Sequence, residues 1–239
     1  MRQVPDLMPG AAAHTYKDID FFLKKSDRKT TSIYIERDGS VSVLAPKPFD
    51  IARIQALLEK KRSWIYRSLA EWDDLNRTRV TREYVNGESF LYLGRSYRLQ
   101  IVTNQDVPLK LKNGQFCIDK AAIGEAPRHF REFYKSKLLP RVSARAAIYG
   151  ARIGQVPAGI KVLELKNRWG SCSSAGVINI HWKCAMLSIS VLDYVVAHEL
   201  AHLKYANHTP AFWRQLEKIL PGHDDQKSWL KYNGAGMTL

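Results

Sequence analysis

Cysteine is scarce in this chain: Cys117, Cys172 and Cys184 are the three among 239 residues. An odd count at wide spacing does not build a disulfide scaffold and fits a reducing compartment. Apolar runs near the ~20 residues that span a bilayer are lacking. So is the apolar stretch after a basic start that directs secretion. A cytoplasmic protein with no membrane association is therefore expected. Internal repeats and low-complexity segments are missing as well, which sets aside solenoids and disordered linkers. What remains is ordinary globular composition, 45% hydrophobic and 25% charged, at a length suited to one large domain or two small ones.

Negative charge is also in short supply. The formal net charge is +14. The excess is spread along the chain, with 21 Lys/Arg against 15 Asp/Glu in residues 1–120 and 16 against 8 in 121–239. It is densest in 128–152, where Arg128, Arg131, Lys135, Lys137, Arg141, Arg145 and Arg152 face only Glu132. Such a field favours association with polyanions, although a solvated basic helix face accounts for it equally well.

The first thirty residues read as an irregular N-terminal extension. Ser32–Glu36 and Ser40–Leu44 flank Arg37-Asp38-Gly39 and form an expected hairpin, ended by Pro46 and Pro48. Asp50 caps an expected helix with Ile51, Ile54, Leu57, Leu58, Trp64 and Ile65 on one apolar side. Ser89–Leu93 turns at Gly94-Arg95 into Tyr97–Val102, and Leu109–Lys112 turns at Asn113-Gly114 into Phe116–Ile118. Residues 31–120 are thus an antiparallel-β-rich region with one helix, and 121–239 change character. Residues 126–150 have helical spacing, with Pro140 predicting a kink or two abutting helices. Val162–Leu165 reads as a short strand, Asn167–Gly176 as a polar loop and Val177–Trp182 as another strand. Ser190 is the expected cap of a long helix reaching Tyr205, and Pro210 opens the next, which Pro221-Gly222 stops.

The chemistry concentrates in Val195-Val196-Ala197-His198-Glu199-Leu200-Ala201-His202-Leu203. Helical pitch puts His198 and His202 one turn apart on one face, where two imidazoles can grip one Zn2+ ion, with Glu199 placed to act on water at the metal. The surrounding Leu192, Val195, Val196, Leu200 and Leu203 would bury this helix, and burying two histidines and a glutamate is costly unless something satisfies them. A catalytic zinc usually takes three protein ligands. His208 is the expected third, from a loop between two helices. The spacing matches HExxHxxGxxH enzymes, with Tyr205 where the glycine usually stands. Glu217 is the rival third ligand; His181 and His223 are weaker candidates. Glu199 would take a proton from the water and return it to the leaving group. The Val177–Trp182 segment could line the cleft and pair with a substrate backbone.

Four ordered motifs carry a resemblance: Arg168-Trp169-Gly170-Ser171-Cys172-Ser173, Ile178–Trp182, Asp193–Leu203 and Asn207-His208-Thr209-Pro210-Ala211-Phe212-Trp213. With Lys61–Ile65 and Tyr92-Leu93-Gly94 upstream, they resemble the bacterial YgjP-like metallopeptidase-domain family, related to SprT-like and WLM zinc-peptidase domains, over roughly residues 30–235. The resemblance implies an α+β fold with a zincin-like core, metal ligation by His198, His202 and His208, and Glu199 as the catalytic base. It leaves open whether the substrate is a polypeptide or a nucleotide, since a bacterial member is assigned hydrolysis of UTP and fold does not fix function. A metallopeptidase is the first expectation and a nucleoside triphosphate (UTP) pyrophosphatase the second. A nucleic-acid-associated module with a structural metal is the third. In the 168–174 loop, Arg168, Ser171 and Ser173 are candidate substrate-binding residues for phosphate or a polarised carbonyl. The plainer reading is that Trp169 packs, Gly170 relieves a tight turn and Arg168 pairs with a carboxylate such as Asp193. Cys172 reads as a small buried hydrophobe.

Overall fold

A computed structural model describes residues 10–36, 39–76, 81–165 and 168–239, the side chains of 74–76 and 235 excepted. Arg37-Asp38 of the expected hairpin turn and Asn167 of the expected loop lie outside the described residues. The chain is a mixed α+β protein whose contacts divide it into two units, Met1–Arg79 and Val80–Leu239. Among the described residues no helix is long and apolar enough to cross a membrane.

The first unit holds strands β1 (Ala12–Tyr16), β2 (Ile19–Ser26), β3 (Ser32–Ile35) and β4 (Val41–Pro46), followed by helices α1 (Ile51–Lys60) and α2 (Arg62–Asn76). The sheet order is β1-β2-β4-β3. The expected irregular lead-in over 1–30 is corrected here, because residues 12–26 form a hairpin. Ile19, Phe21 and Leu23 alternate inward on β2 and bury against Val41, Val43 and Ala45 of the parallel β4. Phe22 and Lys24-Lys25 blur that period of two in the sequence. The expected β3–β4 pairing is present, with Ile33 opposite Val43. Asp50 caps α1 by accepting from the Arg53 backbone N–H at 2.7 Å. The single expected helix is two, broken at Lys61. Ile54, Leu58 and Ile65 enter the core, while Ile51 and Trp64 are exposed.

In the second unit, β5 (Ser89–Tyr92), β6 (Arg95–Val102), β7 (Leu109–Lys112) and β8 (Gln115–Asp119) form a sheet of order β5-β6-β8-β7. Helix α3 (Ala126–Ile153) packs its Phe130 and Tyr134 against Phe90, Tyr92 and Phe116 of that sheet. These strands therefore share one core with the C-terminal helices. The boundary near residue 120 expected from composition is not where the contacts divide the chain. Pro140 sits inside α3 without splitting it. It is exposed, as is Ser136 one turn before it, so the turn that loses its backbone hydrogen bond lies on the exposed side of the helix.

A second sheet follows, with β9 (Gly159–Leu163), β10 (Gly170–Cys172) and β11 (Val177–His181) in the order β10-β11-β9. Strand β10 lies inside the segment expected to be a loop. Helices α4 (Ile189–His202), α5 (Pro210–Ile219) and α6 (Asp224–Asn233) complete the unit. Ser188, two residues before the expected cap, accepts from the Val191 N–H and starts α4.

The β5–β6 turn seats the entrance to α4. Leu93 and Gly94 donate their N–H groups to the Ala185 and Met186 carbonyls at 2.8 and 3.1 Å. Gly94 has φ +76°, and a Cβ there would lie 2.8 Å from Ser188 Cα. Gly94→Ala combines a left-handed backbone cost of about 1–2 kcal/mol with displacement of the α4 cap. Urea denaturation is expected to show a loss at least that large.

Candidate metal centre

Helix α4 is apolar nearly all round. Val191, Leu192, Val195, Val196, Ala197, Leu200 and Ala201 are all buried, so the helix is held as a rigid element and its polar residues have fixed positions. His198 and His202 stand one turn apart with ring centroids 4.9 Å apart. The helix ends at His202, short of the expected Tyr205. Beyond it the chain turns, and the Tyr205 carbonyl accepts from His202 Nδ1 at 2.9 Å. A carbonyl only accepts, so this bond puts the proton on Nδ1 and leaves Nε2 with a free lone pair, the usual way a backbone group orients a ligating histidine.

His208 comes from the loop before α5. Its Nε2 lies 2.9 Å from His198 Nε2, and its ring centroid is 4.8 Å from that of His202. One ligand atom from each of the three histidines falls within 4.8 Å of the others, and the cluster can hold a metal ion. Glu199 is 5% exposed. Its Oε2 and His198 Nδ1 are buried with no hydrogen-bond partner among the described residues. Two facing imidazole nitrogens beside an orphaned buried carboxylate oxygen are a costly arrangement by themselves and a suitable donor set for a cation.

Burial sets the local electrostatics. It pushes the His198 imidazole down to about 3, reinforced by the neighbouring His202 and His208. His208 is lowered by the same causes, burial first and then His202. Burial pushes the Glu199 carboxyl up to about 8, opposed by the cation of Arg168. The His198 and His208 imidazoles are thereby kept neutral, the form in which they can ligate.

The rival ligands are accounted for elsewhere. Glu217 Oε2 accepts from His223 Nδ1 at 2.9 Å, and its Oε1 accepts from the Gly222 N–H. His181 is buried, with Nδ1 accepting from the Lys183 N–H at 3.0 Å and Nε2 3.3 Å from Glu164. Neither joins the three-histidine cluster.

The cluster lines a cleft of about 880 Å³ together with Arg168–Ser174, Tyr194, Lys204 and Leu230. The strand expected to border it as a free edge, Val177–Trp182, is corrected: β11 is the central strand, paired with both β9 and β10, and β10 is the edge that reaches the cleft. Gly170 on β10 serves a different purpose from a tight turn. A Cβ on it would lie 2.6 Å from Glu199 Oε1, so its bareness is what lets the carboxylate pack against the strand. Trp169 packs as expected, its ring against Gly234.

Arg168 is exposed and lines the cleft. Asp193, its suggested partner, instead faces Arg145 Nε at 2.8 Å. The Ser171 hydroxyl accepts from the Asn179 side chain, and the Ser173 hydroxyl from the Val177 N–H, so both brace the β10–β11 hairpin while lining the cleft. Cys172 is part-buried on the cleft wall, with its thiol pushed up by burial and by Glu199. Much of the basic run on α3 is engaged within the chain: Arg128 with Glu125, Lys135 with Glu132, Arg145 with Asp193 and Arg152 with the Ile219 carbonyl.

A family model described as YgjP-like, metallopeptidase domain, matches residues 29–233. No curated protein is matched. One solved structure, the crystal structure of the metallopeptidase zymogen of Pyrococcus abyssi abylysin, is similar at 25% identity. The match covers 37% of this chain and 90% of that one, with a TM-score of 0.35.

The raised Glu199 carboxyl has a consequence for the metal-free protein. A folded-state value near 8 against about 4.5 when unfolded means the fold prefers the protonated acid. That stability is fully present below pH 4.5 and lost as pH rises toward 8. His198 acts in the opposite sense, its contribution present above about 6.5 and lost as pH falls toward 3. In EDTA, thermal melts are expected to lose about 2 kcal/mol between pH 6.5 and 8, above the range in which His198 offsets the carboxyl, and Glu199→Gln to flatten that limb while keeping the acid-side loss. Equal slopes in both proteins would contradict the burial of the carboxylate.

Proposed function

The chain belongs to the YgjP-like metallopeptidase-domain family, and we propose that it is a zinc-dependent hydrolase that cleaves polypeptides, with Glu199 as the catalytic base. The observation that carries this reading is the juxtaposition of a buried carboxylate, a three-histidine cluster and an edge strand on one cleft. His198, His202 and His208 would hold one zinc ion in a zincin-like core built around α4. When bound there, zinc supplies Lewis acidity that lowers the pKa of water and polarises the bond to be cut. Glu199 accepts the proton of the attacking water and delivers it to the leaving amine. Burial raises its carboxyl toward neutral pH, the direction that makes acceptance and return both accessible. Gly170 lets that carboxylate lie against β10. The outer side of β10, at the sheet edge, offers backbone groups to an extended substrate strand. Arg168 stands on the same cleft for a carbonyl or carboxylate of the substrate.

One observation favours a second reading. Among the described residues that line the cleft, Arg168 and Lys204 are the cationic side chains and Glu199 is the acidic one. That balance suits a triphosphate, so a nucleoside triphosphate pyrophosphatase acting on UTP is the alternative. Zinc-loaded protein, incubated with unfolded polypeptides, UTP and other nucleotides, separates the two. Peptide fragments are expected, and their absence alongside nucleotide turnover would replace the first reading with the second. Glu199→Gln is expected to lower turnover by about 10²-fold or more with zinc content unchanged; full activity would defeat the base role.

Gly170→Ala tests the packing behind that role. Its methyl displaces the Glu199 carboxylate, and turnover is expected to fall by roughly tenfold while metal content, read by elemental analysis, stays at the wild-type level.

A further inference from the structure

The third histidine of the cluster is the one with least support from its own segment. His198 and His202 stand on a buried helix, whereas His208 is an exposed residue of the loop between α4 and α5. Loop residues hold a metal ligand poorly unless other side chains fix them. The structure supplies such a fixture. Trp213, one turn into α5, stacks on the His208 ring at 5.6 Å between centroids and 28° between planes. His223 stacks in turn on Trp213 at 6.0 Å and 5°, and on Tyr194 of α4 at 6.1 Å and 4°. Tyr194 reaches back to His198 at 5.8 Å. The rings thus run from the loop ligand through α5 and the start of α6 to α4, and return to the helix ligand. His223 is 4% exposed, and its Nδ1 donates to Glu217 at 2.9 Å, which fixes the ring plane. The Lys227 ammonium sits 4.0 Å from the Trp213 ring centroid, a cation–π contact on the same indole.

We infer that Trp213 and His223 are positioning residues for the third metal ligand, their stack holding the His208 imidazole in ligating reach of His198 and His202. The inference rests on the metal-binding reading of the three histidines and assigns Glu217 a place behind His223 in place of the metal itself. Aromatic stacking of this kind combines area burial with a preferred ring orientation. Outer groups that orient a ligand typically alter metal affinity by 10–100-fold when removed.

Zinc affinity, measured by competition with a chelating indicator, tests it on the full chain. Trp213→Ala is expected to weaken zinc binding by about 10–100-fold, and Trp213→Phe, which keeps a stacking face, to recover most of it. Glu217→Gln, a change at a half-exposed side chain, is expected to weaken it by a few-fold. The deciding comparison is the double-mutant cycle: once His208→Ala has removed the ligand, Trp213→Ala should cost no further zinc affinity. Circular dichroism and melting in EDTA establish that each variant is folded. Should Trp213→Ala not fold, Trp213→Phe and Glu217→Gln are run through the same cycle. Equal weakening with and without His208, or wild-type affinity in the Trp213 and Glu217 variants, would overturn the inference while leaving the zinc site standing. A wild type that takes up no zinc would overturn the metal reading and the inference with it.

Discussion

The Glu199 carboxylate and the His198 imidazole are set into a helix whose other buried residues are apolar apart from Asp193, and the low dielectric around them penalises any charge they carry. Much of the second unit answers to that constraint. The rigidity of α4 comes from its burial, which in turn requires the sheets and α3 to cover it. Its entrance is fixed by the β5–β6 turn, through two backbone bonds and a glycine pressed against Ser188. Its exit is fixed by Tyr205, whose carbonyl accepts a hydrogen bond from His202 Nδ1. The carboxylate finds room only because position 170 has no side chain. A cation at the cluster would relieve the strain of all these choices together, since it stabilises the ionised carboxylate and uses the lone pairs that the neutral imidazoles offer.

How much of this was legible in the sequence depended on range. The spacing of His198, Glu199 and His202 is local, so helical pitch predicted their arrangement directly, and Asn-Gly and Asp50 marked a turn and a cap that are present, while the turn expected at Gly94-Arg95 falls one residue earlier, at Leu93-Gly94. The lead-in strands were missed because the inward set Ile19, Phe21 and Leu23 is interleaved with Phe22 and two lysines, which hides a period of two. Pro140 suggested a kink or two abutting helices, but α3 runs through it as one helix, on a side of the helix that is exposed, and exposure is a tertiary property. The edge of the second sheet was assigned to the wrong strand for a related reason. Val177–Trp182 has the more strand-like composition, and composition favours the central strand, whereas Gly170–Cys172 is too short and too small to read as a strand at all.

The division of the chain shows the same limit. Residues 89–119 look like a continuation of the β-rich first half, yet Phe90, Tyr92 and Phe116 bury against α3. Composition grouped the strands with strands, and packing groups them with the helix they cover. The basic run on α3 is a further case. Read alone it suggested a polyanion-binding face, but Arg145 and Arg152 turn toward Asp193 and the Ile219 carbonyl, and Arg128 and Lys135 pair along the helix. The cations left for the cleft are Arg168 and Lys204, from other segments.

The treatment of Glu217 separates what a ligand motif can reveal from what it cannot. Both His208 and Glu217 lie at distances downstream of His202 that known zinc sites use, so spacing alone does not choose between them. The choice is made by residues that carry no motif. His223 closes on Glu217 from the turn after α5, and the Gly222 N–H takes its second oxygen, so the carboxylate is held away from the cluster. The same His223 stacks between Trp213 and Tyr194 and so keeps the α5 indole against His208. One buried imidazole therefore engages Glu217 and, on the inference drawn above, also braces the loop that carries His208. Such a device is invisible to spacing because its members come from α4, α5 and the start of α6, and only the fold makes them neighbours.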